Sequence, residues 1–358
     1  MHIAQAIELY AKKQEERMKK KILWTMALLL LIGCVSLFAA GAVETGATPE
    51  KPAVFKGGVT GNPDWQYTKA LNEWSAVVKE KTNGAVIIEV YPSEQLGSER
   101  ELLERTNLGV IDFCLVGAGG GAEFVPEFAM FENAFTFQSL KHFENVAFNR
   151  SFRDNLAAML ESKSNMTFIG LSLNGVRSVL SNRAFRTPQE AAGLRLRIPD
   201  VATFRIVAAA IGAAPTPLPF GEVYMALQQG VVDAVESNPE GMINMKFVEV
   251  TKHLIITEHM MQGLGHFFNK NSFYGKLSKA QQDILIDTAF EVMHKYFTNS
   301  AKVQADYLAK IKANYGLNVI ELTPAEKAVF QQRAVAELQK EYIPKWGPLW
   351  NQFQELAK

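Results

Sequence analysis

Arg195 and Arg197 stand two residues apart in Leu194-Arg195-Leu196-Arg197-Ile198, where guanidiniums alternate with apolar residues. A strand of period two puts both on one face. A guanidinium is planar and permanently charged, and it grips a carboxylate through two parallel N–H bonds. The same alternation also describes two solvated arginines on a half-buried strand, since exposed arginine is the rule. The stretch continues through IGAAPTPLPFGEVYMALQQGVVDAVES, a proline-studded turn and a helix that end at Ser237.

Other reactive constellations are weaker. Gly117 to Ala122 (GAGGGA) formally satisfies the dinucleotide pattern G-x-G-x-x-A, but Pro126 falls where the cofactor-holding helix should be established. A flexible loop at the carboxyl end of a strand, where α/β proteins bind ligands, is the better reading. None of the six histidines, His2, His142, His253, His259, His266 and His294, has a metal-binding H-x-x-x-H or H-E-x-x-H spacing. No G-x-S-x-G occurs, and Cys114 inside VIDFCLV reads as a small buried hydrophobe. Asp112, Asp233 and Glu236 can serve as acids or bases, but nothing in the sequence pairs them. No cofactor and no metal are expected.

The elements that must position these groups alternate between short apolar runs and helical patterns. The runs are Val54 to Val59, Ala85 to Tyr91, Val110 to Val116, Met166 to Leu173, Leu194 to Ile198, Val231 to Val235 and Leu317 to Leu322. Such alternation predicts α/β units with a mixed or parallel sheet. Capping boxes with proline at the first helical position mark helix starts at Thr187-Pro188-Glu190 and Thr323-Pro324-Glu326, and Ser278 with Gln281 marks a third. From Lys279 to Asn314 there is neither proline nor glycine, and Gly316 supplies a stop. Those 36 positions make one helix of roughly 54 Å, long enough to span two domains. Two helices with an unmarked break near Asn299 and Ser300 satisfy the pattern equally.

Composition and the amino terminus bound the setting. With 48% hydrophobic and 21% charged residues the chain reads as an ordinary folded protein of up to two domains. Met18-Lys19-Lys20-Lys21, the apolar run from Ile22 and small residues ending at Ala42 read as a secretory signal cleaved after Ala42 (18–42). Residues 1–17 read as a non-native upstream extension. An uncleaved anchor, or a lipoprotein processed at Cys34, are lesser alternatives, and all three imply export. Without residues 1–42 the chain keeps 31 Lys and Arg against 34 Asp and Glu, so no polybasic field remains to attract nucleic acid or anionic lipid. Cys114 is then the single cysteine, and no internal disulfide can form.

Taken in order, YPSEQLGSERELLERTNLGVIDFCLV, FVPEFAMFENAFTF, NGVRSVLSNRAFRTPQEAAGLRLRIPD, IGAAPTPLPFGEVYMALQQGVVDAVES and KFVEVTKHLIITEH resemble the substrate-binding proteins of TRAP (tripartite ATP-independent periplasmic) transporters. The likeness is to their dicarboxylate- and sialate-binding, DctP-like branch, and it covers about residues 53–345. It implies a periplasmic-binding-protein-like fold: two α/β domains, a ligand cleft between them and a long helix bracing both. The implied domains are 43–174 plus 263–301 and 175–262 plus 302–358. The implied function is capture of an organic acid anion in the periplasm by a monomeric, non-enzymatic protein that delivers it to membrane permease subunits. An exported enzyme using Asp112, Asp233 or Glu236, and a ligand-sensing module of a signalling system, are the alternatives.

The resemblance assigns ligand contacts residue by residue. Arg197, second arginine of the family's K-L-R-V-P motif, holds the carboxylate. Arg177 falls on the arginine of N-G-x-R, Phe220 on the aromatic of P-x-x-F-x-E-V-Y, and Ser237 where sialate binders carry asparagine. Thr60 lies where the opening strand reaches the ligand, and Glu99 where an acidic residue often contacts it. Gly117 and Gly120 replace a glutamate and an arginine of the sialate binders, so the implied pocket is not a sialate pocket. A glycine loop there leaves either room or backbone N–H groups for a ligand.

Overall fold

The structure, a computed structural model, describes residues 51–358. The readings of an upstream extension, a signal peptide and Cys34 lie outside the described residues. Two long antiparallel strands, β4 (Met166–Ser181) and β8 (His253–Asn269), form the spine of one sheet. With it, among the described residues, nine strands form the sheet in the order β2 (Val86–Tyr91), β1 (Ala53–Val59), β3 (Phe113–Gly117), β8, β4, β7 (Ala234–Ser237), β5 (Arg195–Ile198) and β6 (Ala214–Pro217), with β9 (Asn318–Glu321) beside β8.

The register shows how the spine serves two groups of strands. β3 (Phe113–Gly117) pairs with Leu264 to Phe268, the final part of β8, and β1 (Ala53–Val59) and β2 (Val86–Tyr91) extend it in parallel. At the opposite end β7 (Ala234–Ser237) pairs with Ser178 to Ser181 of β4, and β5 (Arg195–Ile198) and β6 (Ala214–Pro217) extend that side in parallel. β9 (Asn318–Glu321) pairs with His253 to Ile256. Each parallel group needs helices on its faces, so two α/β lobes form on one shared pair of strands. Register shifts interrupt the β4–β8 ladder, one of them between Leu173 and Gly175 opposite Gly263 and Gln262. Gly175 has φ +135°, a region open to glycine alone.

Core packing follows the same division. Trp74, Phe113 and Phe268 pack with Leu285, Ala289 and Val292 on one face of the β1–β3 group, and Phe128, Phe131 and Phe353 lie in the core of its other face. Phe204, Leu196 and Phe330 fill one side of the second lobe; Leu227, Phe247 and Ile311 fill the other. Leu285 and Ile311 belong to the same helix, Lys279–Asn314, which contributes to the cores of both lobes. It runs unbroken through Asn299 and Ser300, which excludes the two-helix alternative. Its start is the capping box read from sequence, with the Ser278 N–H donating to Gln281 Oε1 at 2.9 Å, and Gly316 follows it at φ +64°.

Two expectations need correction, and one strand had none. Thr187-Pro188-Glu190 starts no helix: the Glu190 N–H reaches Thr187 Oγ1 at 3.2 Å, but Gly193 at φ +74° and β5 at Arg195 leave no room beyond a turn. The strand read at Val231 to Val235 lies at Ala234–Ser237. β8, the longest strand, was not legible, because Gly263 and Gly265, two buried histidines and Glu258 at φ +45° break its apolar pattern.

Candidate ligand-binding site

The site lies where the two lobes face each other across the middle of the spine. From the first lobe come Thr60, just beyond β1, Glu99, and Gly117 at the end of β3; from the second come Arg197 on β5 and Phe220 in the turn after β6. Arg177 and Gln262 enter from β4 and β8. Six of the seven residues predicted to touch a ligand therefore line one cleft. Ser237, the seventh, does not: it is buried behind it, and a Cβ built on Gly241 would lie 2.6 Å from its Oγ and 2.8 Å from the Trp65 ring.

Period two did put Arg195 and Arg197 at alternate positions, but their surroundings differ completely. Arg195 is half-exposed and pairs with Asp233, its Nη2 2.6 Å from Oδ1. Arg197 is 2% exposed, and its Nε and Nη2 donate to the Leu218 carbonyl at 3.0 and 2.6 Å. Its guanidinium carbon lies 5.4 Å from the Phe220 ring centroid, within cation–π range. Among the described residues no carboxylate lies within 4.0 Å of it. Burial lowers its pKa to about 10, against the pull of Glu236 and Glu99, so it stays charged at neutral pH. A buried cation held only by a backbone carbonyl and an aromatic face is built to receive an anion.

Arg177 is placed in the cleft but its charge is already matched. Nη2 donates to Glu236 Oε1 at 2.6 Å and to the Glu236 carbonyl at 2.8 Å, Nε donates to Oε2, and Nη1 donates to Gln262 Oε1 at 2.5 Å. One Nη1 hydrogen is left for a ligand. Burial is the largest influence on Glu236 and raises its pKa, but the Arg177 guanidinium and His259 beside it together outweigh burial and hold it below the usual carboxylate range. His259 Nε2 lies 3.5 Å from Glu236 Oε2, and its Nδ1 is 2.8 Å from Thr257 Oγ1. The three carboxylates weighed as catalytic groups are thus each engaged: Glu236 with Arg177, Asp233 with Arg195, and Asp112 with Lys276 at 2.5 Å.

At Gly117 and Gly119 the glycine loop supplies neither room nor spare N–H groups. It forms a buried 3-10 turn, Ala118–Glu123, not a flexible loop. The Gly117 N–H donates to Glu99 Oε1 at 2.6 Å, and the Gly119 N–H donates to Glu132 Oε2 at 2.9 Å. A Cβ built on Gly117 would meet Glu132 Oε1 at 2.1 Å and Glu99 Oε1 at 2.5 Å, so the space a side chain needs is filled by two carboxylates. Glu132 is fully buried, accepts from the Gln262 amide, and was missed in the sequence; its signal was one acid in the apolar run FAMFENAF. Removal from water raises the Glu99 pKa, and raises that of Glu132 well above the carboxylate range with Glu99 adding to it.

Glu99 is positioned as the first residue of the Glu99–Leu108 helix, behind the Ser98 cap. Thr60 Oγ1 is 3.4 Å from the Tyr67 hydroxyl, which burial holds above its ordinary pKa and therefore neutral. The inner cleft encloses about 30 Å³, and an adjoining cavity of about 250 Å³ shares Glu99, Arg197, Pro199 and Phe220 with it. Contacts across the opening close it further: Arg100 to Asp200 at 3.0 Å, the Gly221 N–H to Glu94 at 3.1 Å, and the Gln66 N–H to Glu240 at 3.0 Å. An organic acid needs more space than the inner cleft offers.

Comparison with known proteins gives concordant results. The sequence model of DctP, bacterial extracellular solute-binding protein, family 7, matches residues 57–345. The chain is 27% identical over 307 residues to the sialic acid-binding periplasmic protein SiaP of Vibrio cholerae, covering 85% of this chain and 91% of that one. It is 28% identical over 304 residues to the C4-dicarboxylate-binding periplasmic protein DctP of Rhodobacter capsulatus, covering 84% and 89%. Among solved structures, a TRAP periplasmic solute binding protein from Desulfovibrio salexigens with bound orotic acid superposes with a TM-score of 0.78 at 28% identity, over 85% of this chain and 97% of that one. A Sulfitobacter protein of the same description, with bound β-D-galacturonate, gives 0.76 at 24% identity, over 84% and 99%.

Proposed function

Since the chain belongs to the DctP family of bacterial extracellular solute-binding proteins, we propose that it captures a carboxylate-bearing organic acid between its lobes and delivers it to the membrane permease of a TRAP transporter. The observation that carries this reading is Arg197, a buried guanidinium whose only hydrogen-bond partner among the described residues is a backbone carbonyl. The relatives' ligands are consistent with it: sialic acid, a C4-dicarboxylate, orotic acid and galacturonate all carry a carboxylate. Arg197 takes that carboxylate in two parallel bonds, Phe220 covers it, and Thr60, Glu99 and the remaining Arg177 hydrogen contact the rest. Arg177 and Ser237 otherwise act behind the cleft, the first by fixing Glu236 and Gln262, the second by packing under Trp65.

Capture proceeds without covalent chemistry. The lobes are residues 51–174 with 263–301 and residues 175–262 with 302–342, and they move about the β4–β8 crossing near Gly175. The carboxyl-terminal helix Gly347–Glu355 packs on the first lobe, where Phe353 meets Phe131 and Phe137, and not on the second as the 302–358 expectation has it. The ligand favours the closed form because only there does it touch both lobes, which is the differential affinity that a population shift requires. The protein works as a monomer in the periplasm. A thermal-shift screen over organic acids, sugar acids, neutral sugars and amino acids tests the reading, because a ligand at a hundred times its Kd stabilises the folded form by about 2.7 kcal/mol. A carboxylate should raise the midpoint and be recovered unaltered; a response confined to neutral sugars, or turnover of the ligand, overturns the proposal.

A further inference from the structure

Five ionisable groups meet at the cleft, and their charges do not balance. Arg177 and Glu236 cancel by direct contact. That leaves Arg197 against two acids, Glu99 and Glu132, whose oxygens converge on the single point above Gly117. The groups that face the pair offer little further compensation. On the Glu99 side are Arg197, Arg177, Glu94, and the neutral Tyr67 and Cys114; on the Glu132 side are Gln262 and the charge of Arg177, with Glu236 and His259 beyond it. An anion docking on Arg197 takes up the one cation that balances Glu99, just as closure removes both from water. Burying an unmatched charge costs several kcal/mol, and a carboxylate avoids this by taking a proton.

Resting on the solute-capture reading above, we propose that the Glu99–Glu132 pair is a proton-holding subsite: capture of the anion on Arg197 draws a proton from solvent onto the pair, and the cleft takes singly charged, hydroxylated acids in preference to dicarboxylates. Glu132, sealed below the glycine loop, holds one proton before capture. Glu99, at the cleft wall, gains the second as the lobes close. A second ligand carboxylate would add a charge that no unpaired cation of the described cleft matches, since Arg100 on the adjoining wall already pairs with Glu104 and Asp200, whereas hydroxyl groups find acceptors on Glu99. The two acids act as one coupled pair, so the proton belongs to both.

The sign of the linkage follows. A pair whose affinity for protons rises on capture makes binding tightest at low pH and weaker as pH rises, by up to about tenfold per pH unit for one proton. Calorimetry with galactonate, gluconate, succinate and fumarate, from mildly acidic to mildly alkaline pH and in two buffers of different ionisation enthalpy, measures this. The expected result is that a sugar acid binds more tightly than either dicarboxylate and that its apparent enthalpy shifts with the buffer, a shift lost in Glu99→Gln. Infrared spectra of the ligand-free protein should show a protonated-carboxyl band at neutral pH that disappears in Glu132→Gln. Dicarboxylate binding equal to or tighter than that of the sugar acids, a buffer-independent enthalpy, or no such band overturns the inference and leaves solute capture standing. Binding of no acid in the set by a cooperatively folded protein overturns solute capture itself, while the infrared band still reports on the pair.

Discussion

At the scale of single residues, burial and partnership separate groups that the sequence presents alike. Arg177 and Arg197 are both arginines on strands facing one cleft, yet one has a carboxylate partner and the other does not. Opposite consequences follow on mutation. Glu236→Gln leaves Arg177 buried beside a neutral amide and should destabilise the protein by about 3 to 5 kcal/mol, the range for breaking a buried pair from one side; denaturant unfolding measures it. Arg197→Lys removes no carboxylate contact within the protein and should leave stability nearly unchanged. It replaces a fork by a point charge, and ligand affinity should fall by about 2 to 5 kcal/mol in calorimetry. Equal affinity of Arg197→Lys and the parent protein would show that the anion is held elsewhere. Neither difference was legible at this scale, because the sequence shows which residues alternate and not which partner each meets.

At the scale of elements, legibility followed the range of the interactions. The ends of the Lys279–Asn314 helix were readable to the residue because their signals, Ser278, Gln281 and Gly316, are local, whereas its continuity through Asn299 and Ser300 was not. β1, β2 and β9 were readable because each is a short apolar run between turns. β8 and the second half of β4 were not, since a strand that crosses between lobes alternates between cores and carries polar residues to the cleft, which erases period two. Glu132 escaped for a related reason: its partners, Gly119 and Gln262, are 13 and 130 residues away. A further contact of this kind joins two helices. The Gln66 N–H, at the start of the Gln66–Lys81 helix, donates to Glu240 in the Pro239–Asn244 helix at 3.0 Å, and burial lifts the Glu240 pKa to about 7. A carboxyl whose folded pKa is raised stabilises the fold while protonated and loses that contribution as pH rises through the folded value. Melting temperature should therefore fall between roughly pH 4.5 and 7 by an amount equivalent to on the order of 3 kcal/mol. Glu240→Gln should flatten that part of the profile, and an unchanged slope would assign the pH dependence to other groups.

At the scale of the whole molecule, one shared pair of strands lets two lobes keep separate cores, and the proposed capture has them close as a clamp. Each lobe buries its own aromatic cluster, and the sequence links between the two run through β4, β8, the Lys279–Asn314 helix and the segment joining the Pro324–Glu341 and Gly347–Glu355 helices. Motion between the lobes must be absorbed where the ladder is already irregular, and the register shift at Leu173 and Gly175 is such a place. Gly175 sits at φ +135°, and a Cβ there would lie 2.9 Å from the Asn238 amide nitrogen and 3.0 Å from Gln304. Those neighbours matter, because the Val176 N–H donates to Gln304 Oε1 at 2.7 Å, tying β4 to the long helix. Gly175→Ala would thus strain the closed arrangement by about 1 to 3 kcal/mol, the cost of forcing a non-glycine residue into that region. If the open form relieves this φ, the strain falls on closure alone, and apparent affinity should drop by roughly 5- to 150-fold although no ligand contact is touched. Small-angle scattering adds the decisive contrast: ligand should contract the parent protein, while the variant at the same ligand concentration should stay closer to the expanded form. A variant that melts earlier yet binds and contracts like the parent would place the hinge elsewhere in the β4–β8 crossing.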